Sequence, residues 1–534
     1  MSPALSDRRT DRTERMLRTD ALVIGSGAAG LLLALHCAEK GMRVTVVTKG
    51  TIEESNTAWA QGGVAATLDL EEDSPAAHVA DTLAAGAGLC NVAAAEIVAE
   101  EAPKRIEELR DLGVAFNLSV TGELALTREA AHSHARTVFS QDATGRAIST
   151  TLAQKALNHS NVTVVERASA VSLIMDGERC AGAWIFAKGE LVPILAAAAT
   201  ALATGGVGQV YERTTNPPGA TGDGLALASD AGAALADVEF VQFHPTALAV
   251  AGAPALLVSE AARGEGGILV NKEGRRFCFD ADPRGELAPR DVVARAIFRE
   301  MQRTHGGVWL DLRPIGSPDF LRKRFPNIAA ACARFGVDIT TQPIPVGPAA
   351  HYHMGGVLTD LFGRTTLRAL YAVGECACTG LHGANRLAGN SLAECLVFGA
   401  RAADDIGAAT RVEEPRDLSP IANRLEAMMT VEPLRKLMWK DASVERDGKR
   451  LVALREKLAE WRLATVPLSR SSLESRALLC AARYIAGAAL VREESRGAHD
   501  RTDFPDRDDV HWLGRIVWLR EQYELEPLTA PAVS

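Results

Sequence analysis

The sequence predicts an α/β fold: a Rossmann-like domain in two pieces, an α+β capping domain inserted between them, and a helical bundle at the C-terminal end. Three observations carry this. A short apolar run opens into three spaced glycines near the start. Strand-and-glycine segments of the same kind return late in the chain, after a stretch of different pattern. The last part is charged, with leucines at helical spacing.

The first element is Ala21-Leu-Val-Ile24, apolar and short, as a buried parallel strand is. Gly25, Gly27 and Gly30 follow at G-x-G-x-x-G spacing. Gly25 allows the tight turn, Gly27 lets the backbone approach a pyrophosphate, and Gly30 lets the next helix pack on the strand. That helix is expected from about Ala28 to Lys40, with Leu31, Leu32, Leu35 and Ala38 facing inward and Gly41 ending it. A second strand, Val44 to Val47, completes a βαβ unit that offers a helix N-terminus to phosphate. Three glycines alone occur in many turns. Strand, fingerprint, helix and strand in this order make that bland reading a poor one.

Readers of NAD usually close the second strand with an acid that holds a ribose hydroxyl. Here the chain reads Val47-Thr-Lys-Gly50, so Lys49 either greets a phosphate or is solvated surface. Two later segments favour FAD. Leu202-Ala-Thr-Gly-Gly206 is an apolar run ending in a glycine pair, with Gly205 at its tip. Leu370-Tyr-Ala-Val-Gly-Glu375 is a strand that delivers a carboxylate, Glu375, able to accept from a ribityl-like chain. Each has an ordinary reading as a strand with a turn. Together with the fingerprint, in order along most of the chain, they resemble the two-dinucleotide-domain flavoproteins, which implies a Rossmann-like FAD-binding domain.

The expected organisation is a disordered tail over 1–19, the FAD-binding domain over 20–237 and 351–412, the capping domain over 238–350, and a helical domain over 413–534. The tail is polar and lacks the apolar core of a signal peptide, and Arg8-Arg9 has no hydrophobic region behind it. In the capping domain, Ile268 to Phe277 reads as a hairpin with a Glu-Gly turn. Pro289 to Phe298 reads as a helix with Pro in its first turn and Asp291 at the favourable end. Leu451, Leu454, Leu458 and Trp461 line one helix face, read as bundle core.

With 534 residues there is room for several domains. The net charge of −9 argues against a nucleic-acid partner. Nine cysteines include no C-x-x-C pair, which excludes the usual zinc, iron–sulfur and haem spacings, so no metal is expected and the thiols fit a reducing cytoplasm. The longest apolar run, Ile194 to Ala203, falls short of the ~20 residues of a spanning helix, so no membrane partner is expected.

Several separated segments each hold one or two groups suited to anions: Gln242-Phe-His-Pro-Thr246, Ser259-Glu-Ala-Ala-Arg263, Pro289-Arg-Asp291, Ala350-His-Tyr-His353 and Gly383-Ala-Asn-Arg-Leu-Ala-Gly-Asn-Ser391. Singly, each has a structural reading. A histidine before proline is usually satisfied by its neighbours, and an arginine in a helix's first turn is usually surface.

These segments, together with Gly25-Ser-Gly-Ala-Ala-Gly30, Ala60-Gln-Gly-Gly63, Leu126-Thr-Arg-Glu-Ala-Ala-His-Ser-His134, Arg263-Gly-Glu-Gly266, Leu287-Ala-Pro-Arg-Asp291, His382-Gly-Ala-Asn-Arg386 and Glu494-Ser-Arg-Gly-Ala-His499, resemble the succinate dehydrogenase/fumarate reductase flavoprotein superfamily. The match runs from about residue 20 to 510 and favours the branch that oxidises L-aspartate. The resemblance implies FAD-dependent oxidation of L-aspartate to iminoaspartate. Oxygen (giving hydrogen peroxide) or fumarate would be the acceptor, as the first step of de novo NAD biosynthesis. Quinolinate synthase would take the imine. The alternatives are a soluble fumarate reductase or succinate-oxidising flavoprotein, and a flavin-carrying subunit of a larger redox complex.

The resemblance also implies site roles. Gln242, His244 and Ser259 take one substrate carboxylate, and His351, Arg386 and Ser391 the other, with Arg263 nearby. Arg290 carries an acid/base role, which for a guanidinium means a proton conduit or electrostatic partner. Cofactor contacts fall on Gly25, Ser26, Gly27, Ala28, Ala29, Gly30, Lys49, Asn56, Thr57, Ala60, Gln61, Gly62, Gly63, Ser169, Ala170, Gly205, Asp223, Glu375, Ser391 and Leu392. Relatives in membrane complexes carry a histidine in place of Asn56 and bond it to FAD. An amide cannot form that bond, so the FAD is expected to be non-covalent. Glu129 stands where dicarboxylate-only relatives have an apolar aromatic. It suits an ammonium group, against the bland reading of a surface acid paired with Arg128 or Arg136.

Five positions depart from the superfamily's usual pattern. Ser259 replaces Thr, Ala130-Ala131 replaces Gly-Gly, Gly389 replaces Ser, and Asp500 replaces an uncharged side chain.

Overall fold

The computed structural model describes residues 16–410, 418 and 422–528. Its main sheet has seven strands, in the order Val162–Val165, Val44–Val47, Leu17–Ile24, Glu190–Leu202, Arg179–Ala187 and Ala168–Asp176, with Leu370–Ala372 also paired to Glu190–Leu202. The first four and the late strand are parallel, and the rest antiparallel. The late strand is what brings Glu375 back beside the fingerprint, more than three hundred residues downstream.

The fingerprint helix, Ala28–Glu39, is apolar on nearly all sides and almost wholly buried. It packs against helix Asn390–Ala408, whose N-terminus thereby reaches the same loop region. Gly25 has φ +119°, and a Cβ there would stand 2.0 Å from the Ala203 carbonyl oxygen. A Cβ on Gly30 would stand 2.4 Å from the Gly25 carbonyl oxygen. Protein packing requires both. A Cβ on Gly27 would meet only Thr57 Oγ1, at 3.4 Å, so what Gly27 keeps open is a groove.

The capping sheet runs Val241–Leu248, Ile344–His353, Val308–Asp311, Ile268–Asn271, all antiparallel, with helix Arg290–Thr304 packed across it. The expected hairpin over 268–277 is not formed. The Glu273-Gly274 turn exists, with the Gly274 amide donating to the Asn271 carbonyl, but Ile268–Asn271 pairs with the distant Val308–Asp311. Leu269 is buried against that partner, and the polar Arg275-Arg276 following the turn has no such face to offer.

In the C-terminal part, helices Glu432–Asp441, Gly448–Ala459 and Arg470–Val491 pack together, with Leu451, Leu454 and Leu458 buried and Trp461 at the rim. The region is not purely helical. Gly514–Leu519 pairs with Leu235–Ala236 and with Gln522–Pro527, in a five-stranded sheet. Ile516, Val517 and Trp518 are buried there, as a β-branched and aromatic run demands. Residues 1–15 of the expected tail lie outside the described residues. Leu17 to Thr19 belong to the first strand, paired with Ile194 to Ala196. No helix of the described residues is long and apolar enough to cross a membrane.

Candidate active site

A cavity of about 530 Å³ runs from the fingerprint loop to the capping sheet. Residues 25–29, with Thr48, Lys49, Ser169, Ala170, Gly205 and Asp223, line one end. Asn56, Thr57, Ala60, Gln61, Gly62, Gly63, Glu375 and Leu392 line the middle. Glu129, His244, Ser259, Arg290, His351, Arg386 and Ser391 line the far end.

Three expected contacts do not reach the cavity. Gly30 stands behind Gly25, as its packing requires. Gln242 is fully buried with its amide consumed: Nε2 donates to Asn385 Oδ1 and to the Arg386 carbonyl, both at 2.8 Å, and Oε1 accepts from Arg290 at 3.1 Å. Arg263 is also buried, and it donates to the Glu286 carbonyl at 2.6 Å and pairs with Glu260 at 3.1 Å. Both hold arginine and acid partners in place, and neither lines the cavity in which a carboxylate would bind.

Lys49 is neither solvated nor free. Its ammonium donates to Asp223 and Thr221 at 2.7 Å and pairs with Glu474 of the C-terminal helix at 3.0 Å. Asn56 Nδ2 donates to Glu375 at 2.8 Å, and the His353 amide donates to the other Glu375 oxygen at 3.1 Å. Burial still pushes the Glu375 carboxyl up to about 7, past what those two donors recover. A further donor, such as a sugar hydroxyl, would relieve it.

At the far end the charge is concentrated. The His244 and His351 ring centroids are 5.0 Å apart. Burial lowers both rings' pKa well below the ordinary value, and the neighbouring Arg290 and Arg386 lower them further, so both are neutral near pH 7. The Thr246 amide donates to His244 Nδ1 at 3.2 Å. The proton therefore sits on Nε2, which is buried and has no partner: a donor turned toward the cavity. Thr215 bonds His351 Nδ1 at 2.8 Å. Arg386 donates one Nη to Ser391 at 3.1 Å, and its Nε is unpartnered. Burial and Arg290 lower its pKa to about 10, so it still carries its charge. No carboxylate among the described residues pairs with it.

Glu129 is not a surface acid. Arg136 is taken by Asp73 and Asp81, and Glu129 is buried facing the cavity, accepting only weakly from the Gly63 amide at 3.4 Å. Burial, then the charge of Glu260, raises its pKa against the pull of Arg290 and Arg386. Of the departures, Ala131 adopts φ +65° where glycine would be unstrained, and buried Asp500 accepts from Arg299 at 2.8 Å.

Two groups escaped the sequence reading. Glu260 lines the cavity and pairs with Arg290, closely, and with Arg263. Its spacing of three from Arg263 on a helical turn was the available signal. Tyr352, between two histidines, also faces the cavity, and it gave no sequence signal beyond that position.

The FAD binding domain family matches residues 20–392, and the family described as fumarate reductase flavoprotein C-term matches residues 431–532. An L-aspartate oxidase of Nostoc sp. is 46% identical, covering 95% of this chain and 94% of the relative. The chain belongs to the L-aspartate oxidase family. An L-aspartate oxidase 1 of Ralstonia nicotianae is 47% identical, over 91% of this chain and 95% of its own length. A quinol fumarate reductase structure from E. coli is 30% identical, with a TM-score of 0.86 over 97% of this chain and 98% of that one. The Rossmann-like sheet, capping unit and C-terminal helices are thus shared with the fumarate reductase flavoproteins as well as the oxidase family.

The cavity fits FAD. The groove left by Gly27, the amides at the start of helix Ala28–Glu39 and the under-satisfied Glu375 suit a pyrophosphate and a polyol. Asn56 offers an amide where a covalent link would need an imidazole, so the FAD is held non-covalently.

Proposed function

We propose that this protein oxidises L-aspartate to iminoaspartate, with oxygen, giving hydrogen peroxide, or fumarate as final acceptor. The observation that carries this is one cavity with unanswered donors suited to two carboxylates and a buried acid beside them. His244 Nε2 and the Ser259 hydroxyl suit one carboxylate. Arg386, His351 and Ser391 suit the other, the guanidinium fork matching a carboxylate edge.

FAD, held along residues 25–29, Asn56 and Glu375, supplies the acceptor for the two electrons that leave the amino acid. The chain's own residues do the rest. Two-point binding fixes the substrate's rotation, and orientation of this kind can lower a barrier by ~7–11 kcal/mol. Glu129 pairs with the ammonium group, while Arg290 and Arg386 oppose a further cation and ease the loss of its proton. Arg290 keeps its own proton, being a guanidinium. Burial raises Glu260, but Arg290 and Arg263 outweigh that and hold it below its ordinary value. The Arg290–Glu260–Arg263 line is therefore a charged hydrogen-bonded track leading away from the substrate.

Anaerobic mixing tests the reading. L-aspartate should bleach the flavin band, and D-aspartate should not. Rapid bleaching by succinate with none by L-aspartate would overturn it in favour of a soluble fumarate reductase, the reading that the fumarate reductase likeness supports. Placement in the NAD route, a cytoplasmic site and hand-over of the labile imine to quinolinate synthase extend the same reading. A faster quinolinate yield from the two proteins mixed than from separated compartments would support the hand-over. For location, a tobacco relative is named as chloroplastic, so the organism's own compartment decides.

A further inference from the structure

Two buried arginines line the chamber; Arg290 pairs with Glu260, whereas the fork of Arg386 is held without a paired acid. Its Cζ lies 4.6 Å from the centroid of the Tyr352 ring. The Tyr352 hydroxyl donates to Glu394 Oε2 at 3.1 Å and touches His382 Nε2 at 3.1 Å. His382 Nε2 bonds the same Glu394 oxygen at 3.0 Å, while Thr379 donates to the other at 2.6 Å. Burial, then the charges of Glu394 and Glu375, raise the Tyr352 pKa well above its ordinary value, so the hydroxyl keeps the proton it donates. All of these side chains are buried.

Glu394 sits one helical turn behind Ser391, on the helix whose first turn faces the cavity. A buried carboxylate there is costly unless it is fully bonded. It receives donors from Thr379, Tyr352 and His382, and its charge lies behind the aromatic ring whose face carries Arg386. A guanidinium is attracted to an aromatic face, more strongly when desolvated. An acid that pins the ring and makes the local field more negative strengthens that seat without making an ion pair. The fork then remains open to an incoming carboxylate, which a direct Glu–Arg pair would forbid.

We propose that Tyr352, anchored through its hydroxyl on Glu394, is a positioning residue that seats Arg386 for the substrate's second carboxylate. This rests on the dicarboxylate reading above. The seat acts through Arg386, so its loss should appear in binding and depend on Arg386 being present.

The experiment compares Tyr352→Phe and Glu394→Gln in FAD-loaded protein, alone and combined with Arg386→Leu. Succinate binding is read by flavin absorbance, and KM and kcat with L-aspartate. Each single variant should weaken succinate binding and raise KM by about tenfold, with kcat within about twofold and FAD retention unchanged. In the Arg386→Leu background, Tyr352→Phe should change succinate binding less than about twofold. Unchanged binding in both single variants, or an equal loss with and without Arg386, overturns the seat. Wild-type protein that binds succinate but does not turn over L-aspartate overturns the activity reading alone, since the coupling is still measured. Wild-type protein that binds no dicarboxylate overturns both.

Discussion

Two buried arginines of the C-terminal part, Arg492 and Arg496, and one of the chamber, Arg386, are dressed in opposite ways. In the C-terminal part, Arg492 bonds Glu239 at 2.7 Å, Glu494 at 2.9 Å, and the Trp512 and Gly514 carbonyls at 3.0 and 2.9 Å. Arg496 spends its nitrogens on Glu494, Asp509 and the Ala87 carbonyl. In the chamber, Arg386 has one side-chain hydroxyl partner, an aromatic face, and a bare Nε. Burial is the same, residue type is the same, and the partner count differs. A buried guanidinium whose donors are all answered by protein is scaffold, and one left half-answered beside a cavity is waiting for an anion.

The scaffold group still serves the site from a distance. The Ala498 amide donates to the Ala384 carbonyl at 2.9 Å, tying the Glu494-to-His499 segment to the loop that carries Arg386. His499 bridges Arg446 and the Arg492 carbonyl. This explains a motif that carries the family resemblance yet does not line the cavity.

The widest separation should come from removing one arginine of each kind. Arg492→Leu leaves Glu239 buried without its cation and strips Glu494 of one of its two arginines, a loss of ~3–5 kcal/mol, so thermal inactivation should shift sharply down and soluble yield fall. Arg386→Leu should lower kcat/KM for L-aspartate by ~100–1,000-fold while leaving the melting temperature level or higher, because it removes an unpaired buried charge. If Arg386→Leu melts well below wild type, the two groups are not different in kind.

Glu129→Gln narrows the contrast to one acid. It should cost ~100-fold in L-aspartate oxidation and less than about threefold in fumarate reduction, since only the amino acid brings an ammonium group. Steady-state rates on both substrates decide it; equal losses would mean Glu129 shapes the chamber and does not pair with the amine.

How much of this was legible beforehand follows the range of the interactions. The fingerprint turn, its helix and the strand at Val44–Val47 are local, and the glycine spacing reports them directly. The strand at Ile268–Asn271 was readable as a strand, but its partner lies some forty residues on, and only the assembled sheet selects it. The family resemblance implies substrate contacts for Gln242 and Arg263 because it carries over residue type and position but not orientation. Their orientation depends on Asn385, Arg290 and Glu286, brought together by three separate segments. The strand at Gly514–Leu519 had a signal in its β-branched and aromatic run that the surrounding charge obscured.

Acidity offers a gentler probe of the same chamber. Glu129 is raised above its ordinary value, so it takes up a proton at a higher pH than a solvated carboxyl of about 4.3. As pH falls through that raised value the acid becomes neutral and the ammonium loses its partner. KM for L-aspartate should therefore rise as the pH is lowered toward the ordinary carboxyl range. Succinate should bind as well or better for as long as it remains a dianion, because a repelling charge disappears. His244 and His351 take no part in that window, being held neutral to well below 6.5. Parallel curves for the two ligands would place the titrating group elsewhere.

The smallest effect expected concerns the loop that carries Glu129. Ala131 sits at φ +65°, a left-handed conformation that costs an L-residue ~1–2 kcal/mol. The loop tolerates it because the residues that follow are tied down. His132 bonds the Ala388 carbonyl at 2.9 Å, and Arg136 bonds Asp73 at 2.8 Å and Asp81. Ala131→Gly removes the strain and adds unfolded-state entropy of ~0.5–1 kcal/mol, so the net gain in stability should be about 0.5 kcal/mol. KM for L-aspartate should stay within about twofold if those anchors place Glu129. A tenfold rise in KM with the same small gain in stability would show that the stiffness of the alanine backbone, and not its anchored neighbours, aims the acid at the amine.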